Sequence, residues 1–206
     1  MEHIFGLFFR SVFVDNMIFA FFLGFCSYLT YSKSIKTALQ LGLTVTLVLL
    51  ITLPVNYLLS TYFLTANNSF GIDLTFLSFI FFIVVIVAFI KLLEWILDLF
   101  DVSACRYLKK YTPLLTVNCV IMGASLLMLQ RINKLPSDPQ AITSISDAFV
   151  YALGSGIGWT VSIVGLSAIR EKMIYSDVPA PLRGLGITFI TVALMAMAFV
   201  CFSGMA

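Results

Sequence analysis

Charge is what this sequence has least of. Asp, Glu, Lys and Arg make up 11% of its 206 residues, where a soluble domain carries about 25%. Hydrophobic residues fill 61% of the chain, and the mean hydropathy is +1.06. This excludes a soluble globule, and also a disordered chain, which needs low hydrophobicity and high net charge. Histidine is nearly absent. The single one, His3, lies at the extreme N-terminus. That excludes internal bis-histidine haem ligation, a multi-histidine metal site and Ser/His/Asp catalysis. The four cysteines, Cys26, Cys105, Cys119 and Cys201, form no CxxC pair. A zinc ribbon, a thioredoxin motif and a disulfide-stapled secreted fold are therefore excluded. The Lys and Arg residues form no basic stripe interleaved with aromatics, so nucleic-acid binding has no support. Met1-Glu2-His3 lacks a basic n-region, and the first apolar run has no small-residue cleavage site after it. A retained span is expected rather than a signal peptide.

What remains is apolar length. Runs at about 10–31, 39–64, 74–97, 111–130, 147–169 and 184–205 are each long enough to cross a bilayer as a helix, which needs about 20 residues. Helices satisfy their own backbone groups in lipid, and the alternating segments of a barrel are absent. The fold class is thus all-α integral membrane with six transmembrane helices, forming one domain over 1–206. The longest polar loop, Arg131 to Asp147, contains Pro136 and Pro139 and reads as irregular. The basic residues sort by side. Lys33, Lys36, Lys91, Arg106, Lys109, Lys110, Arg170, Lys172 and Arg183 fall after spans one, three and five; Arg10, Arg131 and Lys134 fall on the other side. Positive charge stays cytoplasmic, so both termini are expected outside. Six spans also divide into pseudo-repeats, about 1–103 and 104–206, and an odd number per half requires them to be inverted.

Depth separates the cysteines. Cys26 lies seven residues before Lys33, about 10 Å inside the cytoplasmic boundary at 1.5 Å per residue. Cys119 lies nine residues after Lys110, about 14 Å inside. The two sit at nearly one level, on the spans that open the two halves. Cys105 belongs to a cytoplasmic loop and Cys201 to the outer end of the last span. A lone cysteine in a membrane helix is ordinarily a small hydrophobe. The matched depth argues otherwise for this pair, as do Gly24 before Cys26 and Pro113 and Asn118 before Cys119. Such residues break helices, and broken helices at mid-membrane build sites; the first and fourth helices are expected to be broken. Paired thiolates are soft ligands suited to iron–sulfur, zinc or copper(I). An iron–sulfur cluster takes four cysteines, so two here require a second polypeptide to supply the rest. An oxidised pair is the rival reading.

The stretch Pro113-Leu114-Leu115-Thr116-Val117-Asn118-Cys119 resembles a signature of a membrane redox family. That family contains the D and E subunits of the Na+-translocating NADH:quinone reductase and the A and E subunits of the Rnf complex. Further resemblance lies in Phe22-Leu23-Gly24-Phe25-Cys26, in Ile169-Arg170-Glu171-Lys172, in Tyr175-Ser176-Asp177-Val178-Pro179, in Arg183-Gly184-Leu185-Gly186-Ile187-Thr188-Phe189-Ile190-Thr191 and in Phe202-Ser203-Gly204. It spans essentially the whole chain and is nearest the sodium-pump branch. The chain departs from the family in a longer loop around Pro136 and Pro139, and in Val120-Ile121-Met122-Gly123, where alanine commonly follows the cysteine. The resemblance implies a 2Fe-2S cluster, with Cys26 and Cys119 as this chain's ligands and the homologous D subunit as the partner. It implies a bacterial inner-membrane complex, with A, B, C and F subunits besides, that oxidises NADH, reduces ubiquinone and exports Na+. Flavin, NADH and quinone would be bound by those other subunits, and the isolated chain would have no activity.

Three acids are candidates for a sodium pathway. Glu94 and Asp98 are one helical turn apart near the cytoplasmic end of the third span and share a face. Carboxylate oxygen suits a hard cation, whereas the plain alternative is a solvated helix end with Lys91 as partner. An acid at Glu94 is typical of the resembled family. Asp15, beside Asn16 in the outer half of the first span, either pairs with Arg10 or lines an ion exit, and intramembrane acids normally find a partner. Gly154-Ser155-Gly156-Ile157-Gly158 follows no strand, so close helix packing is expected rather than nucleotide binding. The 20 phenylalanines are read as packing or lipid-facing residues. Three other functions compete: an Rnf-type electron-transport subunit, a small inverted-repeat transporter without metal, and a passive assembly scaffold.

Overall fold

In the computed structural model, residues 2–32, 34–64, 77–100, 114–116, 118–133, 141–177, 179 and 182–203 are described. Cys105, Pro113, Pro136 and Pro139 lie outside them, as do Lys33, Arg106, Lys109, Lys110 and Lys134. All regular structure among the described residues is helical: α1 (Glu2–Phe9), α2 (Phe25–Tyr31), α3 (Ile35–Leu59), α4 (Ser78–Phe100), α5 (Cys119–Ile132), α6 (Ile145–Met173) and α7 (Leu185–Ser203). Wider π-type turns extend α1 through Arg10–Val14 and α3 through Ser60–Leu64. Among the described residues, five segments are long and apolar enough to cross a membrane: Ile35–Tyr62, Ser78–Ile96, Leu114–Ile132, Ile145–Met173 and Leu185–Phe202.

The first apolar run is not one helix. Helix begins at Glu2, well before the run assigned at about 10–31, and it stops at Val14. The polar pair Asp15-Asn16 ends it. Asn16 Nδ2 donates to the Val12 carbonyl at 3.0 Å and across to the Gly158 carbonyl at 2.9 Å, while its Oδ1 accepts from the Ile18 amide at 3.0 Å. A side chain that serves the backbone this way competes with the helix ladder. Left-handed conformations at Phe22 (φ 54°) and Gly24 (φ 77°) then turn the chain into α2.

The centre of the molecule is the antiparallel pair α3 and α6, its most extensive helix contact. Gly42 packs on Thr160, and Gly156 packs on Thr46, each too closely to admit a Cβ. The two threonine hydroxyls meet at 3.1 Å, and each lies 2.8 Å from the carbonyl of the glycine four residues before it, so one hydroxyl donates to its own helix and the other can donate across. The contact is reciprocal: each helix offers a glycine and receives a threonine. Small residues permit this backbone approach where lipid supplies no hydrophobic drive between helices. Gly154 and Gly158 likewise admit Ser11 and Val12 of the first segment, so the glycine-rich stretch is a packing seam on two sides.

Ser34 starts α3 by accepting the Thr37 amide at 3.3 Å. Ser144 and Asp147 start α6 with a capping box. These caps satisfy amides that the helix leaves unpaired. Helices α4 and α7 are the least enclosed, with 17% of their apolar windows buried against 56% for α3 and α6. Aromatic rings fasten α7 to the first segment: Phe13–Phe202 centroids lie 4.9 Å apart and Phe19–Phe199 centroids 4.6 Å.

Candidate cysteine half-site

Both cysteines begin short helices. Cys26 is the second residue of α2, and Cys119 is the first residue of α5. Asn118 starts α5 there: its Oδ1 accepts the Val120 amide at 3.1 Å. The two cysteine-bearing segments meet directly, because the Gly24 amide donates to Cys119 Sγ at 2.9 Å. Gly24 stands two residues before Cys26, so segments 95 positions apart in sequence converge on one place.

Gly24 makes the convergence possible in two ways. Its φ of 77° lies in the left-handed region, which costs other L residues about 1–2 kcal/mol. A Cβ there would also overlap the Val120 side chain and lie 2.9 Å from Trp159 Nε1. The far end of α2 is held as well: Arg170 Nη1 donates to the Leu29 carbonyl at 3.0 Å and to Ser32 Oγ at 2.7 Å. Helix α2 is therefore fixed at both ends.

Both thiols are free and lie on the molecular surface. The buried Trp159 Nε1, beside Gly24, and Asn118 Nδ2, on the residue before Cys119, have no hydrogen-bond partner among the described residues. A sulfur already accepting an amide, next to spare N–H groups, matches the chemistry of an anionic sulfur-ligated cluster. Hydrogen bonds to its sulfurs are among the factors that set such a cluster's potential. The ligand number fits only a half: no group of three or more His, Cys, Asp or Glu side chains converges on a metal position among the described residues. Cys201 lies on exposed α7, where its Sγ donates to the Met197 carbonyl at 3.7 Å.

The acids separate into two environments. Glu94 and Asp98 are on α4; Lys91 Nζ donates to Glu94 Oε2 at 2.9 Å, and Asp98 is exposed. Asp15 Oδ2 accepts from Arg10 Nε at 3.3 Å and from Arg131 Nη2 at 2.6 Å. The Arg131 side chain is only 8% exposed, and its guanidinium also covers the Tyr151 ring at 4.8 Å. The Arg10 partnership is readable from a five-residue spacing. The Arg131 partnership is not, although an arginine in the last turn of an apolar helix demands some partner. The role of Arg170 at the end of α2 has no local signal at all.

Residues 4–206 match the family described as Rnf-Nqr subunit, membrane protein. The E subunit of the Na(+)-translocating NADH-quinone reductase of Proteus mirabilis (strain HI4320) is 48% identical over 205 residues, covering 99% of this chain and 98% of that protein. The E subunits of the same reductase from Tolumonas auensis (strain DSM 9187 / NBRC 110442 / TA 4), 48% identical, and Serratia proteamaculans (strain 568), 49% identical, match over the same shares. With a family match over almost every residue and such relatives along the full length, this chain belongs to the Rnf-Nqr family of membrane subunits.

Proposed function

We propose that this chain is the E subunit of a Na+-translocating NADH:quinone reductase and contributes two of the four cysteine ligands of a 2Fe-2S cluster. The observation that carries the reading is the Gly24 amide donating to Cys119 Sγ at 2.9 Å, which joins the Cys26 and Cys119 segments at one level. The homologous D subunit supplies the other two ligands, in a complex completed by the A, B, C and F subunits. The bound cluster would pass single electrons across the low-dielectric core, between flavins held by other subunits. This chain's residues hold the sulfurs: Asn118 starts the helix of Cys119, Gly24 lets α2 approach, and Arg170 ends α2.

The six segments form one domain of two inverted halves, about 1–103 and 104–206, with the first and fourth segments interrupted at the cysteine level. The reciprocal Gly42–Thr160 and Gly156–Thr46 contact supports that arrangement, since it relates α3 to α6 by a local two-fold. Both termini face the periplasm of a bacterial inner membrane. Glu94 and Asp98 attract Na+ on the basic, cytoplasmic side. Asp15, shared by two guanidinium groups, is assigned to holding the first segment rather than to an ion.

The test replaces one sulfur at a time. In the complex, Cys26→Ser or Cys119→Ser is expected to lower iron content, abolish the reduced-cluster EPR signal and remove NADH:quinone turnover. Full iron and full turnover in either variant would refute the redox assignment and favour a metal-free transporter or a passive scaffold.

A further inference from the structure

The connection from α6 to α7 contains a feature that electron transfer does not use. A cleft of about 310 Å³ opens between the end of α6 and the start of α7, lined by Arg170, Ser176, Arg183 and Thr188 among others. It borders a second cleft of about 420 Å³, lined by Ala168, Ile169 and Lys172. Met173 and Ser176 line both clefts. Three cations thus surround adjoining hollows at one end of the helices. None of the three forms an ion pair among the described residues. Arg170 spends only Nη1 on α2, so its other nitrogens have no hydrogen bond among the described residues. The nearby acids Glu171 and Asp177 are exposed and do not line either cleft.

The surroundings suit a membrane interface. Tyr175, 90% exposed just past α6, is a residue type enriched at headgroup level. Further along α7, the exposed Leu185 and Phe189 offer an apolar wall toward the bilayer interior. Cations above, a hydroxyl between them and apolar surface below match an amphiphile with an anionic head.

We infer that the α6–α7 cleft binds an anionic phospholipid, its phosphodiester between Arg170 and Arg183 and its acyl chains along Ile169, Leu185 and Phe189. Basic pockets between membrane helices on the cytoplasmic side hold such headgroups. The acyl chains distinguish this ligand from free phosphate, which shares only the head chemistry.

Arg183 has no partner among the described residues, so its substitution leaves the packing intact. The full-length chain, purified with whatever subunits accompany it, is stripped in detergent. It is then offered vesicles of phosphatidylcholine alone or with phosphatidylglycerol, and retained lipid is read by native mass spectrometry. Wild type is expected to retain phosphatidylglycerol and release phosphatidylcholine. Arg183→Gln should retain phosphatidylglycerol about five-fold more weakly, the effect of one cation near the surface. Arg183→Lys should restore most of it, and Lys36→Gln, outside the clefts, should match wild type. Equal retention of both lipids, unchanged retention in Arg183→Gln, or displacement by inorganic phosphate alone would overturn the assignment.

Discussion

One backbone amide organises the candidate cysteine half-site. The Gly24 N–H points at Cys119 Sγ only because residue 24 sits at positive φ and has no side chain to strike Val120 and Trp159. Gly24→Ala is therefore expected to be costly twice over, in backbone strain and in overlap. The strain alone costs about 1–2 kcal/mol. Its complex should unfold at lower temperature in a thiol-dye melt and, if the cysteines hold the proposed cluster, lose its iron. Gly6→Ala, where nothing lies within 4 Å, should match wild type in both readouts. At this scale the meeting of the Cys26 and Cys119 segments is legible in sequence, since counting residues from Lys33 and Lys110 puts the two cysteines at nearly one depth. The donor to Cys119 is not, because an amide belongs to every residue and only the fold decides where it points.

Among the elements, the interrupted first segment is the one under most constraint. It has few internal ladder bonds between Asp15 and Gly24, and its hold on the bundle comes from side chains: Asn16 to Gly158, Asp15 to Arg131, and Phe13 and Phe19 to α7. Arg131 depends on Asp15 in turn, for its buried Nη1 has no partner among the described residues. Removing one member of a buried pair strands the other, typically at about 3–5 kcal/mol. Asp15→Asn is expected to destabilise the protein by about 3 kcal/mol on that ground. Adding Arg131→Met should recover part of the loss, a coupling that a double-mutant cycle in thermal melts reads directly. Independent, additive losses would show that the pair does not hold the segment. The polar residues Asp15 and Asn16 announce an interruption, but the extent of the turn does not follow from them. The pairing of Asp15 with Arg131 spans 116 positions, and no local pattern encodes that distance. The first helix starts earlier than its apolar run suggests because Arg10 reads as a span boundary, whereas it is spent within the first helical segment on Asp15.

For the whole molecule, the layout is a packed centre with two open flanks. Helices α3 and α6 fill the middle, and α4 and α7 leave most of their surface uncovered. The apolar runs foretell this helical content. They cannot say which helices are central, since α4 is more hydropathic than α3 and yet lies outside. Small residues decide centrality here, through Gly42 and Gly156. The flank α4 carries Glu94, held by Lys91 at 2.9 Å, at the end where basic residues gather. If Na+ enters there, Glu94→Ala should raise the sodium concentration needed for half-maximal turnover of the complex several-fold. An unaltered sodium dependence would leave Glu94 as a helix-end partner of Lys91. The bond from Gly24 to Cys119 has a last consequence, in time rather than space. The ribosome delivers residue 24 long before residue 119, so nascent chain with only the first segment inserted has no half-site to offer. If the two cysteines hold the proposed cluster, iron loading must then await translation past the fourth segment, and a stalled or truncated product would remain cluster-free however much iron the cell provides.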